Sequence, residues 1–372
     1  FILDKISPKI EIEDILNNGY YQQANGKIII NDKTLDLEDL LLSNPLNTKI
    51  EVTKDNLAYK VGSGIWEHII ENGIIKASRN LSFSEDGVYQ LKVLSTDLSN
   101  NKFQTEPVLF TVDDKDPEVL ITNKDEIKNS KTPITVKATV TDTNIDWDNT
   151  KLKIKRNDFE YEITGKDVVK PEGNSFNKDG TYVVELESID KAGNKKVDGP
   201  VSFTIDNTPP EMMIDGVING EHYQKLENLE LSIVDLTLQK IELNVKKDGE
   251  SYELGDGKWN ESLTEGRLKK AFRQLNFDED GDYEITLTTS DMFGSKTLGP
   301  IKFTIDNTEP IIELSGIDEG DFVQKGKSVK VMVKEHNFED NQVVISANKD
   351  GKEYGFGDWK NSGETSELSH TF

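Results

Sequence analysis

Apolar and polar residues alternate along most of this chain with the period of two that sets one face of a strand against a core. Leu91-Lys92-Val93-Leu94-Ser95 follows it, as do Leu229-Glu230-Leu231-Ser232-Ile233 and Tyr283-Glu284-Ile285-Thr286-Leu287-Thr288. Between the last two, Asp235 to Leu238 reads as a turn and Ile241 to Val245 as another strand. Lys247-Asp248-Gly249 is a hairpin signal leading into Tyr252-Glu253-Leu254. Leu275-Asn276-Phe277 precedes a turn at Glu279-Asp280-Gly281, and Phe293-Gly294-Ser295 turns the chain into Ile301 to Ile305. That makes about seven short strands in about one hundred residues. Helical periodicity is poor, and Leu35 to Leu42 is the stretch that admits a short helix.

The strand pattern is periodic on a longer scale. Phe203-Thr204-Ile205-Asp206-Asn207-Thr208-Pro209-Pro210 returns as Phe303-Thr304-Ile305-Asp306-Asn307-Thr308-Glu309-Pro310. Looser copies run from Phe110 through Asp113 to Pro117 and from Phe1 through Asp4 to Pro8. The prolines at 8, 117, 210 and 310 are spaced by 109, 93 and 100 residues, and 63 residues remain. A period near one hundred is too long for a solenoid turn or a propeller blade and suits a whole domain. Seven strands per period with regular turn signals is the size and rhythm of an immunoglobulin-like sandwich. The predicted fold is therefore all-β, a series of tandem immunoglobulin-like β-sandwiches. Residues 1–7 are the end of a preceding repeat, 8–116 a divergent first domain, 117–209 a second, 210–309 a third and 310–372 an incomplete fourth. Ser369 to Phe372 aligns with Leu81 to Phe83 and with Leu275 to Phe277, so the last two strands of the fourth unit are expected to lie beyond residue 372 or to come from a neighbouring molecule.

Further landmarks recur inside the units. Asp86-Gly87, Asp179-Gly180 and Asp280-Gly281 are each followed, one residue on, by Tyr89, Tyr182 and Tyr283 at the start of a penultimate strand. The tyrosine is read either as a tyrosine corner, whose hydroxyl bonds back to nearby backbone, or as a simple packing residue. Asp97 to Asn101, Asp190 to Asn194 and Asp291 to Ser295 then form the last hairpin turn. Trp66, Trp259 and Trp359 follow Lys-Asp turns, Trp147 sits elsewhere, and all are read as core or interdomain filler.

Composition narrows the function classes. The net charge is −25, with 69 acidic against 44 basic residues. Such a surface repels phosphate backbones, so nucleic acid is excluded as a partner, and it leaves many oxygen ligands for hard cations. No run of 18 apolar residues exists, so no membrane insertion is expected in this segment. The absence of cysteine removes disulfides and thiolate metal sites together. The chain begins on a repeat motif without a signal peptide and is expected to be part of something longer.

The combination of Asp179-Gly180-Thr181-Tyr182, Asp190-Lys191-Ala192-Gly193-Asn194 and Phe203 through Pro210 resembles the Ig-like repeats of large bacterial cell-surface and adhesin-type proteins. The resemblance covers the whole chain, is strongest in the second and third units and is weakest over residues 8–50. It implies an extracellular or wall-associated, non-enzymatic, multi-repeat protein. The cysteine-free, Asn/Lys/Ile/Asp-rich composition points the same way, toward a Gram-positive surface protein. The sequence itself offers catalysis little support. His68, His222, His336 and His370 fall at unrelated repeat positions, and no phosphate-binding glycine loop is present.

Topology directs attention to the acids of the linkers. In a seven-strand sandwich the loops after strands two and six return to the end at which the chain enters, beside the linker from the preceding domain. For the second unit this gathers Asp113, Asp114 and Asp116 with Asp142, Asp146 and Asp190. For the third it gathers Asp206 and Asn207 with Asp235 and Asp291, and for the fourth Asp306, Asn307, Glu335 and Asp340. Calcium takes six to eight oxygens from such groups. The expected interdomain calcium ligands are Asp113, Asp116, Asp142, Asp190, Asp206, Asn207, Asp235 and Asp291. The alternative is that they are ordinary turn acids beside prolines that stiffen the linkers unaided.

Three functions remain in play. The first is a stalk or adhesive segment of a bacterial surface protein. The second is direct binding of a host surface protein or glycan by the first domain, where Tyr20-Tyr21 and the Leu35–Leu42 insertion depart from the repeat. The third makes the repeats accessory domains of a secreted glycoside hydrolase or peptidase.

Overall fold

The computed structural model describes residues 4–42, 46–62, 64–255, 257–264, 267–322, 326–335, 345–353, 360–362 and 365–371. Phe1, His336, Asp340, Trp359 and Phe372, used above, lie outside them. The chain divides into two compact units, Phe1–Ile205 and Asp206–Phe372.

The first unit holds two sandwiches. In the first, the strands are β1 (Lys9–Glu13), β2 (Gly19–Tyr21), β3 (Ala24–Asp32), β4 (Thr48–Lys54), β5 (Leu57–Ala58), β6 (Glu67–Glu71), β7 (Ile74–Phe83), β8 (Gly87–Thr96), β9 (Lys102–Gln104) and β10 (Val108–Val112). One sheet has the order β1-β3-β7-β6 and the other β2-β10-β8-β4-β5, with β9 on β8. Only β2 pairs in parallel, on β10. Along β8 the buried residues are Tyr89, Leu91, Val93 and Ser95, as the alternation requires. The admitted helix is a single turn, α1 (Leu37–Leu40), capped by the Asp36 carboxylate, which accepts from Asp39 N. Asp39 is buried and accepts from the amides of Leu46 (2.7 Å) and Asn47 (2.8 Å), folding the insertion back on itself.

The second sandwich keeps this plan with shorter pairings. Its larger sheet orders the strands Phe159–Thr164, Lys151–Arg156, Gly180–Ile189 and Lys195–Ile205. Glu118–Ile121 pairs with Ala138–Thr141, and Ile134–Val136 with Asn174–Phe176.

In the second unit, the third sandwich repeats the strand orders of the first. Glu211–Asp215, Leu226–Asp235, Lys269–Phe277 and Asn260–Leu263 form one sheet. His222–Tyr223, Ser295–Ile305, Gly281–Ser290, Lys240–Lys247 and Glu250–Ser251 form the other. The described residues that follow form a sheet ordered Ile311–Ser315, Ser328–Lys334, Thr365–Thr371 and Lys360–Ser362, plus the short hairpin Asn348–Lys349 with Lys352–Glu353. The apolar residues Ile312 and Leu314 of that sheet are about 60% exposed.

Both recurring motifs meet in each core. The motif phenylalanine stacks on the motif tyrosine in all three sandwiches: Tyr89 on Phe110 at 5.1 Å, Tyr182 on Phe203 at 5.0 Å, and Tyr283 on Phe303 at 5.3 Å between centroids. A second phenylalanine, Phe83, Phe176 or Phe277, packs against the pair. Each tyrosine hydroxyl donates to the backbone carbonyl four residues upstream, on Glu85 (2.8 Å), Lys178 (2.7 Å) and Glu279 (2.8 Å). The motif tyrosine is therefore a tyrosine corner and a core residue at once. Trp66 is buried in the first core and Trp259 packs at the edge of the third.

The last strands of the second and third sandwiches carry a bulge at Gly199 (φ +124°) and Gly299 (φ +104°). A Cβ there would lie 2.9 Å from Val184 O or 2.6 Å from Ile285 O, so only glycine lets the neighbouring strand approach.

Candidate functional site

The stacked phenylalanine fixes where the linker aspartate emerges. Phe110 and Val112 are buried at the end of β10, and Asp113 follows them directly. Asp113 N donates to Tyr21 O (2.9 Å), carrying the β2 pairing one residue past the strand. The next linker residues are held by the sandwich they leave: Asp114 N donates to Asp86 Oδ1 (3.0 Å), and Lys115 Nζ pairs with Asp86 Oδ2 (2.5 Å). The lysine holds the Asp86 carboxyl below the ordinary range.

The second sandwich takes hold of Asp113 itself. Asn144 Nδ2 donates to Asp113 Oδ2 (2.7 Å), and Asn194 Nδ2 donates to the Asp113 carbonyl (2.8 Å). Each asparagine is placed by an aspartate of its own loop. Asn144 N donates to Asp142 Oδ1 (2.7 Å), a turn that follows the strand Ala138–Thr141. Asn194 N and Nδ2 donate to the two Asp190 oxygens at 2.9 and 2.7 Å. As a result, carboxylate oxygens of Asp113, Asp142 and Asp190 lie within 4.8 Å of one another.

This group of negative charges has no ion-pair partner among the described residues. Four lysines close in sequence are engaged elsewhere. Lys115 is on Asp86, Lys195 on Glu187 (2.7 Å), Lys196 on Asp116 (3.6 Å), and Lys191 over the Tyr20 ring (5.1 Å). Burial pushes the Asp142 carboxyl up, and the charges on Asp113 and Asp190 push it the same way. Asn144 is 9% exposed, and its Oδ1 has no hydrogen-bond partner.

The first sandwich carries the same constellation, on residues outside the expected calcium set. Oxygens of Asp4, Asp32 and Asp97 lie within 4.8 Å of one another. Thr34 takes the place of Asn144: its N donates to Asp32 Oδ1 (2.6 Å) and its Oγ1 to Asp4 Oδ2 (3.3 Å). Asn101 takes the place of Asn194 and donates to Asp97 Oδ2 (2.8 Å) and Asp4 O (3.3 Å). Burial, then the charges of Asp4 and Asp97, raise Asp32. The signal was available. Asp32-Lys33-Thr34, Asp142-Thr143-Asn144 and Asp235-Leu236-Thr237 share one spacing, and Asp4 stands in the first copy of the linker motif.

In the third sandwich Thr237 N donates to Asp235 Oδ1 (2.8 Å), and Thr237 Oγ1 donates to Asp206 Oδ2 (2.6 Å). Asp291 faces a shorter turn, closed by Asp291 N on Gly294 O rather than on a fifth residue. Burial, with Asp206 and Asp291 adding charge, pushes Asp235 up to about 6. This set does not close to the 4.8 Å of the other two among the described residues. At the next linker Asp280 accepts from Asn307 N (2.8 Å) and Thr308 Oγ1 (2.5 Å), as Asp86 does from Asp114.

Asp116, Asn207 and Asp146, also named above, stand outside these groups. Asp116 is half exposed on Lys196. Asn207 is exposed. Asp146 caps the 3-10 turn Trp147–Asn149, accepting from Asp148 N (3.1 Å) and Asn149 Nδ2 (2.8 Å).

Comparison with known proteins agrees with the fold. Residues 174–246 match the family model described as a bacterial Ig-like domain (group 3). The chain is a tandem array of Ig-like domains. No curated protein matches the sequence. Among solved structures, a chain of the complex of Dpr2 Ig1-Ig2 with DIP-Theta Ig1-Ig3 is similar at 14% identity, covering 80% of this chain and 99% of that one, with a TM-score of 0.40. The fibronectin(III)-like modules of Clostridium thermocellum CbhA are similar at 10% identity over 53% of this chain and 94% of theirs, with a TM-score of 0.28. Titin domains A168-A170 are similar at 9% identity over 80% and 97%, with a TM-score of 0.22. The fold assignment rests on the sheet orders themselves. Among the described residues no helix is long and apolar enough to cross a membrane.

Proposed function

We propose that this chain is a non-enzymatic structural and adhesive segment of a bacterial surface protein, built to hold successive Ig-like domains in fixed register. The observation that carries the reading is the grip on the linker at Asp113. The sandwich being left holds residues 114 and 115 through Asp86, and the sandwich being entered holds Asp113 through Asn144 and Asn194. A linker serving only as a tether needs none of these contacts. The Ig-like fold is typical of structural and binding domains, and the acidic surface favours solubility in a crowded envelope. The test is antibody labelling of intact cells of the source bacterium, with external protease as a second probe. The reading expects labelling before lysis and loss of the antigen under protease. Antigen detectable only after lysis contradicts it.

A second reading is favoured by one observation in the first sandwich. The insertion around α1 leaves Leu41, Leu42 and Leu46 between 53 and 77% exposed, a group of aliphatic side chains at one loop. Aliphatic rather than aromatic exposure suits a protein surface better than a glycan. Pull-down from host-cell surface protein with the full chain, compared with its Leu41→Ser/Leu42→Ser variant, tests it; equal capture by both contradicts it.

A further inference from the structure

We infer that Asp113, Asp142, Asp190 and the side-chain carbonyl of Asn144 form a divalent-cation site of the calcium type at the junction of the first and second sandwiches. The spacer reading does not require this, and it stands or falls separately.

Two independent observations point to a cation. The first is the carboxylate group: three acids whose oxygens lie within 4.8 Å of one another, with no lysine or arginine in an ion pair with any of them among the described residues. Two oxygens bound to one calcium at 2.3–2.6 Å lie at most about 5 Å apart, so the group fits around a single ion. The second is Asn144. Its amide is nine-tenths buried against the group, with Nδ2 on Asp113, and Oδ1 has no donor. A buried acceptor without a partner is costly, and the three carboxylates of the group offer it further acceptors, not donors. A cation satisfies Oδ1 and the carboxylates together.

The hydrogen bonds already described leave room for this role. Asp142 Oδ1 and both Asp190 oxygens accept from amides of their own loops, which orients the carboxylates without neutralising them. Hard oxygen ligands and the absence of nitrogen or sulfur donors select calcium or magnesium over transition metals. The spread of the oxygens and the count of three carboxylates favour calcium, because magnesium requires a tighter octahedron at about 2.0–2.1 Å.

Isothermal titration with calcium chloride alone, and separately with magnesium chloride, tests the inference on the full chain in 0.15 M potassium chloride, which screens diffuse binding to the acidic surface. The parent chain is expected to bind calcium more tightly than magnesium. Asp142→Asn, which retains the acceptor for Asn144 N, is expected to lose one equivalent of calcium. Asn144→Ala is expected to weaken the same equivalent at least tenfold. Thermal melting in chelator shows that both variants fold. No calcium heat at millimolar concentration in the parent overturns the inference, as does an unchanged stoichiometry in Asp142→Asn. Either result leaves the surface-labelling test of the spacer reading untouched.

Discussion

Asn194 and Asp113 are 81 residues apart in the chain, yet Asn194 Nδ2 donates to the Asp113 backbone carbonyl at 2.8 Å. The same amide group reaches Asp190 Oδ2 at 2.7 Å, so one side chain ties the linker to the last hairpin of the sandwich it enters. Asn101 does the same for Asp4 and Asp97. In the third sandwich the corresponding turn is shorter, closed by Asp291 N on Gly294 O.

Replacing Asn194 by alanine removes both bonds and leaves the Asp113 carbonyl buried without a donor. The expected loss is about 1–3 kcal/mol in chemical denaturation of the second sandwich. Amide exchange at Asp113 and at the substituted position should quicken, with Leu152 and Val184 in the core unchanged.

The tyrosine corners are expected to contribute about 1 kcal/mol each, the usual net value of a neutral hydrogen bond. Tyr182→Phe and Tyr283→Phe keep the ring stacking on Phe203 and Phe303 and remove only the hydroxyl. Denaturation midpoints should fall with unchanged m-values. An unchanged midpoint in both variants contradicts the assignment.

Asp235 carries a pH signature. Its carboxyl titrates near 6 in the folded chain against an ordinary 3.8, raised by burial and then by Asp206 and Asp291. The folded state therefore holds this proton more tightly than the unfolded state. The group's contribution to stability is full below pH 3.8 and is lost as pH rises through 6. Asp235→Asn should stabilise the metal-free third sandwich at pH 7.5 by roughly 1 kcal/mol, seen as a higher melting temperature, and flatten its pH dependence between 4 and 6. A melting temperature lower than the parent's at pH 7.5 contradicts this.

Gly299→Ala sets a Cβ 2.6 Å from Ile285 O at a φ of +104°. Strain at such a position costs about 1–3 kcal/mol, and the steric overlap adds to it. The expected result is a third sandwich destabilised more than by Gly294→Ala, whose Cβ meets nothing within 4 Å.

The two motifs that mark the repeats in the sequence also set the fold, because they touch. Phe203 and Tyr182 lie 21 residues apart but stack across neighbouring strands, so their joint recurrence reports one packed core per repeat. The alternation in Gly87–Thr96 likewise gave its buried face directly. The linker acids were only partly legible. Counting oxygens along the linker gathered Asp116 and Asn207 with Asp113 and Asp206, although they end up exposed. Proximity in sequence does not fix which way an acid faces. Asp146 was claimed by a 3-10 turn, and the useful side chain of that loop was the neutral Asn144. The first-sandwich group at Asp4, Asp32 and Asp97 was legible only by aligning Asp32-Lys33-Thr34 with Asp142-Thr143-Asn144, ahead of the α1 insertion that breaks the repeat register.

The most direct test of the account is the distance between the first two sandwiches in solution. The chain has no cysteine, so spin labels introduced at the exposed positions Lys49→Cys and Lys155→Cys report without background. Double electron–electron resonance should give a single narrow distance distribution in the parent chain and a broad one after Asp113→Ala with Asn194→Ala. A broad distribution in the parent, or a narrow one that survives both substitutions, would contradict the claim that Asp113 locks the junction.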